Sequence, residues 1–151
     1  MGLFDNILSS DQTLIKNEQA LDYDYVPKRI PFREKEQEYI ATCIKPLFNK
    51  RSGRNLLLYG APGIGKSLAV KFVLNELEEK TDEIIPIYVN CWEHNTSFKI
   101  LSEICDILGN KFTQNKKSSD LQKLIVSNLE NKSAVFVFDE IDKAEDTDFL
   151  Y

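Results

Sequence analysis

Apolar positions along the chain recur in two rhythms that alternate with each other. From Arg33 to Phe48, the residues Tyr39, Ile40, Cys43, Ile44, Leu47 and Phe48 fall on one helical face, while Glu34, Lys35, Glu36 and Glu38 point away. The pattern predicts an amphipathic helix, with Pro46 kinking or loosening its last turn. Asn55-Leu56-Leu57-Leu58-Tyr59 is a short apolar run bounded by turn signals, as expected of a parallel strand covered on both faces. Gly60 ends it, and Leu68, Ala69, Phe72, Val73 and Leu77 then recur at helical spacing until the polar stretch Glu78 to Glu83. A second β-rich run, Ile84 to Val89, precedes a helix carrying Phe98, Leu101, Ile104 and Leu108, with Cys105 on the same core and Gly109 as its stop. Ser119-x-x-Gln122 offers a capping box for a helix bearing Leu121, Leu124, Ile125 and Leu129. Ser133 to Phe138 is a third buried-strand candidate, ending at Asp139-Glu140-Ile141-Asp142. Alternating strands and helices place the chain in the α/β class, with a parallel sheet and flanking helices.

Before these elements the chain reads differently. Residues 1–24 are polar and acidic, with Leu3, Phe4, Ile7 and Leu8 at helical spacing, and are expected to form an arm. A membrane anchor is disfavoured because no basic face accompanies that apolar one. Tyr25 to Phe32 contains Pro27 and Pro31, which restrict the backbone and predict an extended lead-in to a domain over residues 25–151.

Composition narrows the classes. The 151 residues are 42% hydrophobic and 28% charged with only 6 Gly and 5 Pro, which excludes disordered, collagen-like and coiled-coil chains. A net charge of -5 removes the global basic footprint of a nucleic-acid binder, so any DNA contact must be local. The 3 cysteines, Cys43, Cys91 and Cys105, are scattered and lack C-x-x-C spacing, which argues against a disulfide framework or zinc site and for a reducing compartment. The single histidine, His94, reads as loop polarity between Glu93 and Asn95. No apolar run approaches the ~18 residues of a membrane span, and a cytoplasmic location is expected.

The strongest chemical signal is Gly60-Ala61-Pro62-Gly63-Ile64-Gly65-Lys66-Ser67, which matches G-x-x-x-x-G-K-[ST] between a predicted strand and a predicted helix. The pattern arises by chance in only about one chain in a hundred of this length, before the flanking elements are required. The glycines let backbone N–H groups converge on phosphates, the helix aims its positive end at them, Lys66 reaches the β/γ-phosphates, and Ser67 supplies a Mg²⁺ ligand. A glycine-rich structural turn has no need of Lys and Ser at those two positions. Asp139, at the C-terminal end of a buried strand, suits a Mg²⁺-organising carboxylate, and Glu140 is positioned to activate the water that attacks the γ-phosphate. Asp142 and Lys143 carry weaker signals.

These residues resemble the AAA+ ATPases, and more narrowly the archaeal replication initiators related to the origin-recognition complex and the cell-division-control loading factor. The resemblance runs over residues 14–151 and rests on several boxes besides the phosphate loop. They are the lead-in from Asn17, Tyr25-Val26-Pro27-x-x-Ile30-Pro31-x-Arg33-Glu34, Val89-Asn90-Cys91 with His94-Asn95-Thr96, and Asp139-Glu140-Ile141-Asp142. It implies an ATP/ADP-binding, Mg²⁺-dependent, nucleoid-associated protein that recognises origin DNA and works with the replicative helicase or other initiator subunits. It also implies that Val26 to Arg33 borders the adenine. The cofactor-binding set is then Pro27, Pro31, Arg33, the loop 60–67, Leu68 and Asp139, with Lys66 and Glu140 as catalytic residues and Ser67 and Asp139 on the metal. The residues alone leave open a rigid linker packed on the first helix.

The family's pattern continues past Tyr151 with a sensor strand, an arginine finger, a helical lid and a winged-helix DNA-binding domain, so the resemblance implies a chain cut short after Walker B. It further implies a sheet order in which Asn55–Tyr59 is separated from Ala134–Phe138 by a strand not present here, leaving a mid-sheet gap. Weak nucleotide binding and slow hydrolysis are expected of such a chain. A signalling or mobile-element AAA+ ATPase acting as a protein-interaction switch is the alternative; a small-molecule kinase gives no reason for Glu140 beside Asp139.

Overall fold

A computed structural model of the chain describes Asp22, residues 25–111, Thr113 and residues 116–150. The arm predicted over residues 1–24 thus lies, apart from Asp22, outside the described residues. The elements run α1 (Glu34–Ile44), α2 (Lys66–Lys80), β1 (Ile84–Asn90), α3 (Ser97–Ile107), α4 (Ser118–Leu129) and β2 (Ser133–Asp139). The two strands pair in parallel, in register from Ile84 opposite Ser133 to Asn90 opposite Asp139. The Cys91 N–H donates to the Asp139 carbonyl at 2.9 Å, carrying the ladder one step beyond β1.

Because successive side chains of a strand point to opposite faces, the sheet divides the interior into two cores. Ile87, Val89 and Cys91 face α3 and α4, where they pack with Ile100, Leu101, Ile104, Cys105, Leu121 and Ile125. Ile84 and Tyr88, with Val135 and Val137 of β2, face α1 and α2 and meet Ile40, Ile44, Val70, Val73, Leu74 and Leu77. Helices on both faces of a parallel pair are the α/β architecture expected from the alternating pattern. All three cysteines are free and buried. Burial pushes the Cys91 and Cys105 thiols up, with the nearby Asp139 and Asp106 carboxylates acting in the same direction.

Several details depart from the periodicity. Asn55–Tyr59 is not a strand: it forms no ladder, and Leu57 and Tyr59 are 72% and 88% exposed. A strand needs a neighbour with which to exchange hydrogen bonds, and β2 is not beside it. A cleft of about 660 Å³ instead separates Leu56, Leu57 and Leu58 from Ala134 to Phe138. The first helix gives way at Lys45 to a 3₁₀ turn through Asn49, with Pro46 at its start, as proline's missing N–H requires. Tyr39 and Phe48, assigned to its core face, are exposed, as is Phe98 on α3. Val70, Leu74 and Ile100, absent from the apolar pattern, are buried because their helices face the sheet over a wider arc. The start of α4 is also shifted: Lys117 is the cap, and the Asp120 carboxylate accepts from its N–H at 3.4 Å. The lead-in is not extended throughout, since Pro31 and Phe32 form a turn and Phe32 adopts a left-handed φ of 66°. No helix among the described residues is long and apolar enough to cross a membrane.

Leu121 is fully buried between α3 and β1, with the Cys105 thiol directed at its carbonyl. Leu121→Ala is expected to destabilise the chain by about 2–5 kcal/mol. The check is a lower urea midpoint with an unchanged slope.

Candidate phosphate-binding site

The loop between the unpaired Asn55–Tyr59 segment and α2 must turn sharply to send a helix back over the sheet. Gly63 and Gly65 do so with φ of 76° and 88°, values at which a side chain would be strained. Gly65 is the residue before the helix, so the first amides of α2, those of Lys66, Ser67 and Leu68, have no partner within the helix and point into the loop. The helix dipole adds positive potential at the same place. The Lys66 ammonium donates to the Gly60 and Ala61 carbonyls, both at 3.0 Å, so it spans the mouth of the loop.

Asp139 reaches the cleft from the other side, whereas the exposed Glu140 beside it is not among the residues that line it. Asp139 ends β2, and Glu140 comes next in a left-handed conformation with φ of 52° before the short turn Ile141–Lys143. For a residue with a Cβ that conformation costs about 1–2 kcal/mol, which marks Glu140 as a position held by its surroundings. The carboxylate of Asp139 is held by two donors: the Tyr88 hydroxyl at 2.5 Å on Oδ2 and the Glu140 N–H at 3.0 Å on Oδ1. Lys66, Ser67 and Asp139 line the same cleft. Asp142 is held below its ordinary carboxylate range first by its hydrogen bond with Lys143, with a smaller pull from Lys66. The Lys143 ammonium also lies over the Trp92 ring, 5.4 Å from its centroid.

The remaining sequence-derived residues fall into two groups. Arg33 is brought to the loop: its guanidinium donates to the Ile64 carbonyl at 2.7 Å while its other nitrogen pairs with Glu36 at 3.1 Å. Glu36 is held below its ordinary range first by a backbone hydrogen bond and then by this arginine. Pro27 is half-buried and Pro31 exposed on the lead-in, and no polar contact ties either to the loop. Two features escaped the sequence reading. Tyr88 looked like one more residue of an apolar strand, and the contact of Arg33 with Ile64 spans 31 positions with no periodic signal. His94 pairs with Glu103 at 3.5 Å, and no group of three His, Cys, Asp or Glu able to hold a metal occurs among the described residues. A phosphate-bound Mg²⁺ needs only one or two protein oxygens, so Ser67 and Asp139 fit that donor set.

A family profile described as an AAA domain matches residues 49–151. The chain belongs to the AAA domain family. The matched region holds both the glycine loop and the Asp139–Asp142 run, whereas the Pro27 to Glu34 box lies outside it. The resemblance to archaeal initiators is also borne out. This AAA domain chain is 34% identical to an ORC1-type DNA replication protein 1 of Sulfurisphaera tokodaii, over 99% of its own length and 40% of that protein's. In three dimensions it is similar to the Aeropyrum pernix ORC1 protein in complex with DNA, with TM-score 0.71 and 30% identity over 80% of this chain and 34% of that one. It is likewise similar to the Aeropyrum pernix ORC2 protein in its ADPNP-ADP complexes, with TM-score 0.70 and 25% identity over 83% and 35% of the two chains. The chain therefore spans well under half the length of these relatives.

The Arg33 contact makes a prediction independent of any ligand. Arg33→Ala removes a charge-assisted hydrogen bond from the loop, for an expected loss of about 1 kcal/mol. The hydrogen-bonded amides at the start of α2, from Ala69 onward, are expected to exchange about fivefold faster, with exchange in β1 and β2 unchanged, as read by hydrogen–deuterium exchange.

Proposed function

We propose that this chain is the ATP-binding part of a DNA replication initiator, and that nucleotide held at the glycine loop governs its assembly on DNA. The observation that carries this reading is convergence. Lys66 and Ser67 at the start of α2 and Asp139, from segments up to 73 residues apart, line one cleft that runs beside β2, with Asp139 at the carboxyl end of that strand. That is where parallel α/β sheets bind ligands. The ORC1-type names of its relatives favour a replication role over a signalling or mobile-element switch.

In this reading the loop amides and Lys66 hold the β- and γ-phosphates, and Ser67 and Asp139 hold Mg²⁺, which neutralises phosphate charge when bound. Glu140, adjacent to but separate from the metal carboxylate, takes a proton from the attacking water in the whole protein. Lys66 then leaves the Gly60 and Ala61 carbonyls for the phosphates, exchanging two neutral acceptors for an anionic one. Pro27, Pro31 and Arg33 border the adenine, with Arg33 also bracing the loop. Origin DNA, the replicative helicase and other initiator subunits are the partners of the whole protein, which places it at the nucleoid.

The test is titration of a fluorescent ATP analogue, with and without Mg²⁺, into this chain and its Lys66→Ala variant, with circular dichroism confirming that both are folded. Saturable, Mg²⁺-dependent binding weakened at least about tenfold in the variant is expected. Binding that survives unchanged in Lys66→Ala, or no binding by a folded wild type, would sink the reading. Glu140→Gln is expected to keep nucleotide affinity while any hydrolysis by the whole protein falls by about 10²–10⁴, measured as phosphate release.

A further inference from the structure

Tyr88 lies in β1 opposite Val137, two residues short of the pair Asn90 and Asp139 that closes the ladder. Its side chain is on the α2 side of the sheet and reaches along the strand to the end of β2, where the hydroxyl donates to Asp139 Oδ2 at 2.5 Å. The other oxygen of the same carboxylate accepts the Glu140 N–H. With one donor on each oxygen, both the rotamer and the plane of the carboxylate are set. The ring of Tyr88 is itself located by α2, since the Lys71 ammonium lies 5.0 Å from its centroid. Lys71 is one helical turn after Ser67, on the helix that carries the loop lysine.

One aromatic residue therefore ties together α2, β1 and β2, the elements that bear Ser67 and Asp139. We infer that Tyr88 is a positioning residue for metal–nucleotide binding, its hydroxyl holding the Asp139 carboxylate ready to serve Mg²⁺ beside Ser67. The inference rests on phosphate binding at the glycine loop. Its physical basis is preorganisation: a carboxylate fixed before ligand arrives loses no rotamer freedom on binding, whereas a free one must be ordered in the same step. A hydroxyl that served only to satisfy a half-buried polar group would influence folding and leave the metal dependence alone.

The experiment is a Mg²⁺ titration of fluorescent ATP analogue affinity in the 151-residue chain, with an EDTA reference, for wild type, Tyr88→Phe, Asp139→Asn and the double variant. Tyr88→Phe keeps the ring under Lys71 and removes the hydroxyl that donates to Asp139. It is expected to lower the Mg²⁺-dependent gain in affinity about tenfold while leaving affinity in EDTA within about twofold of wild type. In the Asp139→Asn background the same substitution is expected to have no further effect, because the group it positions is already lost. An unchanged Mg²⁺ dependence in Tyr88→Phe would overturn the inference and leave phosphate binding at the loop intact. Equal losses in EDTA and Mg²⁺, or failure of Tyr88→Phe to fold, would assign the hydroxyl to the fold and also overturn it. Absence of any binding by folded wild type would instead bring down phosphate binding itself, and this inference with it.

Discussion

Among the described residues the site is suspended from one parallel ladder. Pairing from Ile84 with Ser133 to Asn90 with Asp139 brings the ends of β1 and β2 level, and the Cys91 amide on the Asp139 carbonyl locks that end. Register here cannot drift: a slip of one residue would turn Tyr88 toward the α3 side and drive Ile87 and Val89 out of a core in which both are fully buried. The same burial that holds the strands together thus decides which groups reach Asp139. Function at this end of the sheet is a consequence of packing at its centre.

The glycine loop has no such ladder. The segment before it, Asn55–Tyr59, is unpaired, so the loop is held in place by helix α2 and by side chains that reach it from elsewhere. Helix α2 is anchored by Val70, Val73, Leu74 and Leu77 against the sheet and against Ile40 and Ile44 of α1. Arg33, immediately before α1, grips the Ile64 carbonyl, and Lys66 closes the loop on the carbonyls of Gly60 and Ala61. The lead-in, the first helix and the phosphate loop are therefore one mechanical unit.

The connections that leave the strand ends are interlocked in a similar way. Asn95 donates to Glu145 at 2.5 Å and receives its backbone amide at 2.7 Å, while the Ser97 hydroxyl and amide both donate to Asp146 at the start of α3. The Phe149 amide returns to the Ser97 hydroxyl, and its ring meets Phe138 edge-on. These bonds hold the path of the chain after Glu140, whose left-handed backbone has no glycine to ease it. A polar clamp at one end and an aromatic contact at the other leave that residue little freedom.

Much of this was legible in one dimension because it depends on local rules. Helical and strand periods located β1, α3 and β2 to within a residue and α2 to within three, and the G-x-x-x-x-G-K-S spacing marks a candidate phosphate loop from local backbone and side-chain chemistry. The run Asp139-Glu140 after four apolar residues announced an acidic strand end in the same way. Where strand pairing decided the outcome, the pattern misled: Asn55–Tyr59 has the composition of a buried strand, yet strand geometry requires a neighbour, and no stretch of side chains records whether one is in place. Tyr88 on Asp139 and Arg33 on Ile64 were invisible for a related reason, since each joins residues 51 and 31 positions apart through a side chain whose reach depends on the register and packing of other elements. Local propensity determined which segments become helix, strand and loop; the tertiary structure decided which of their polar groups meet, because hydrogen bonds across a fold are selected by distance in space and leave no period in the chain.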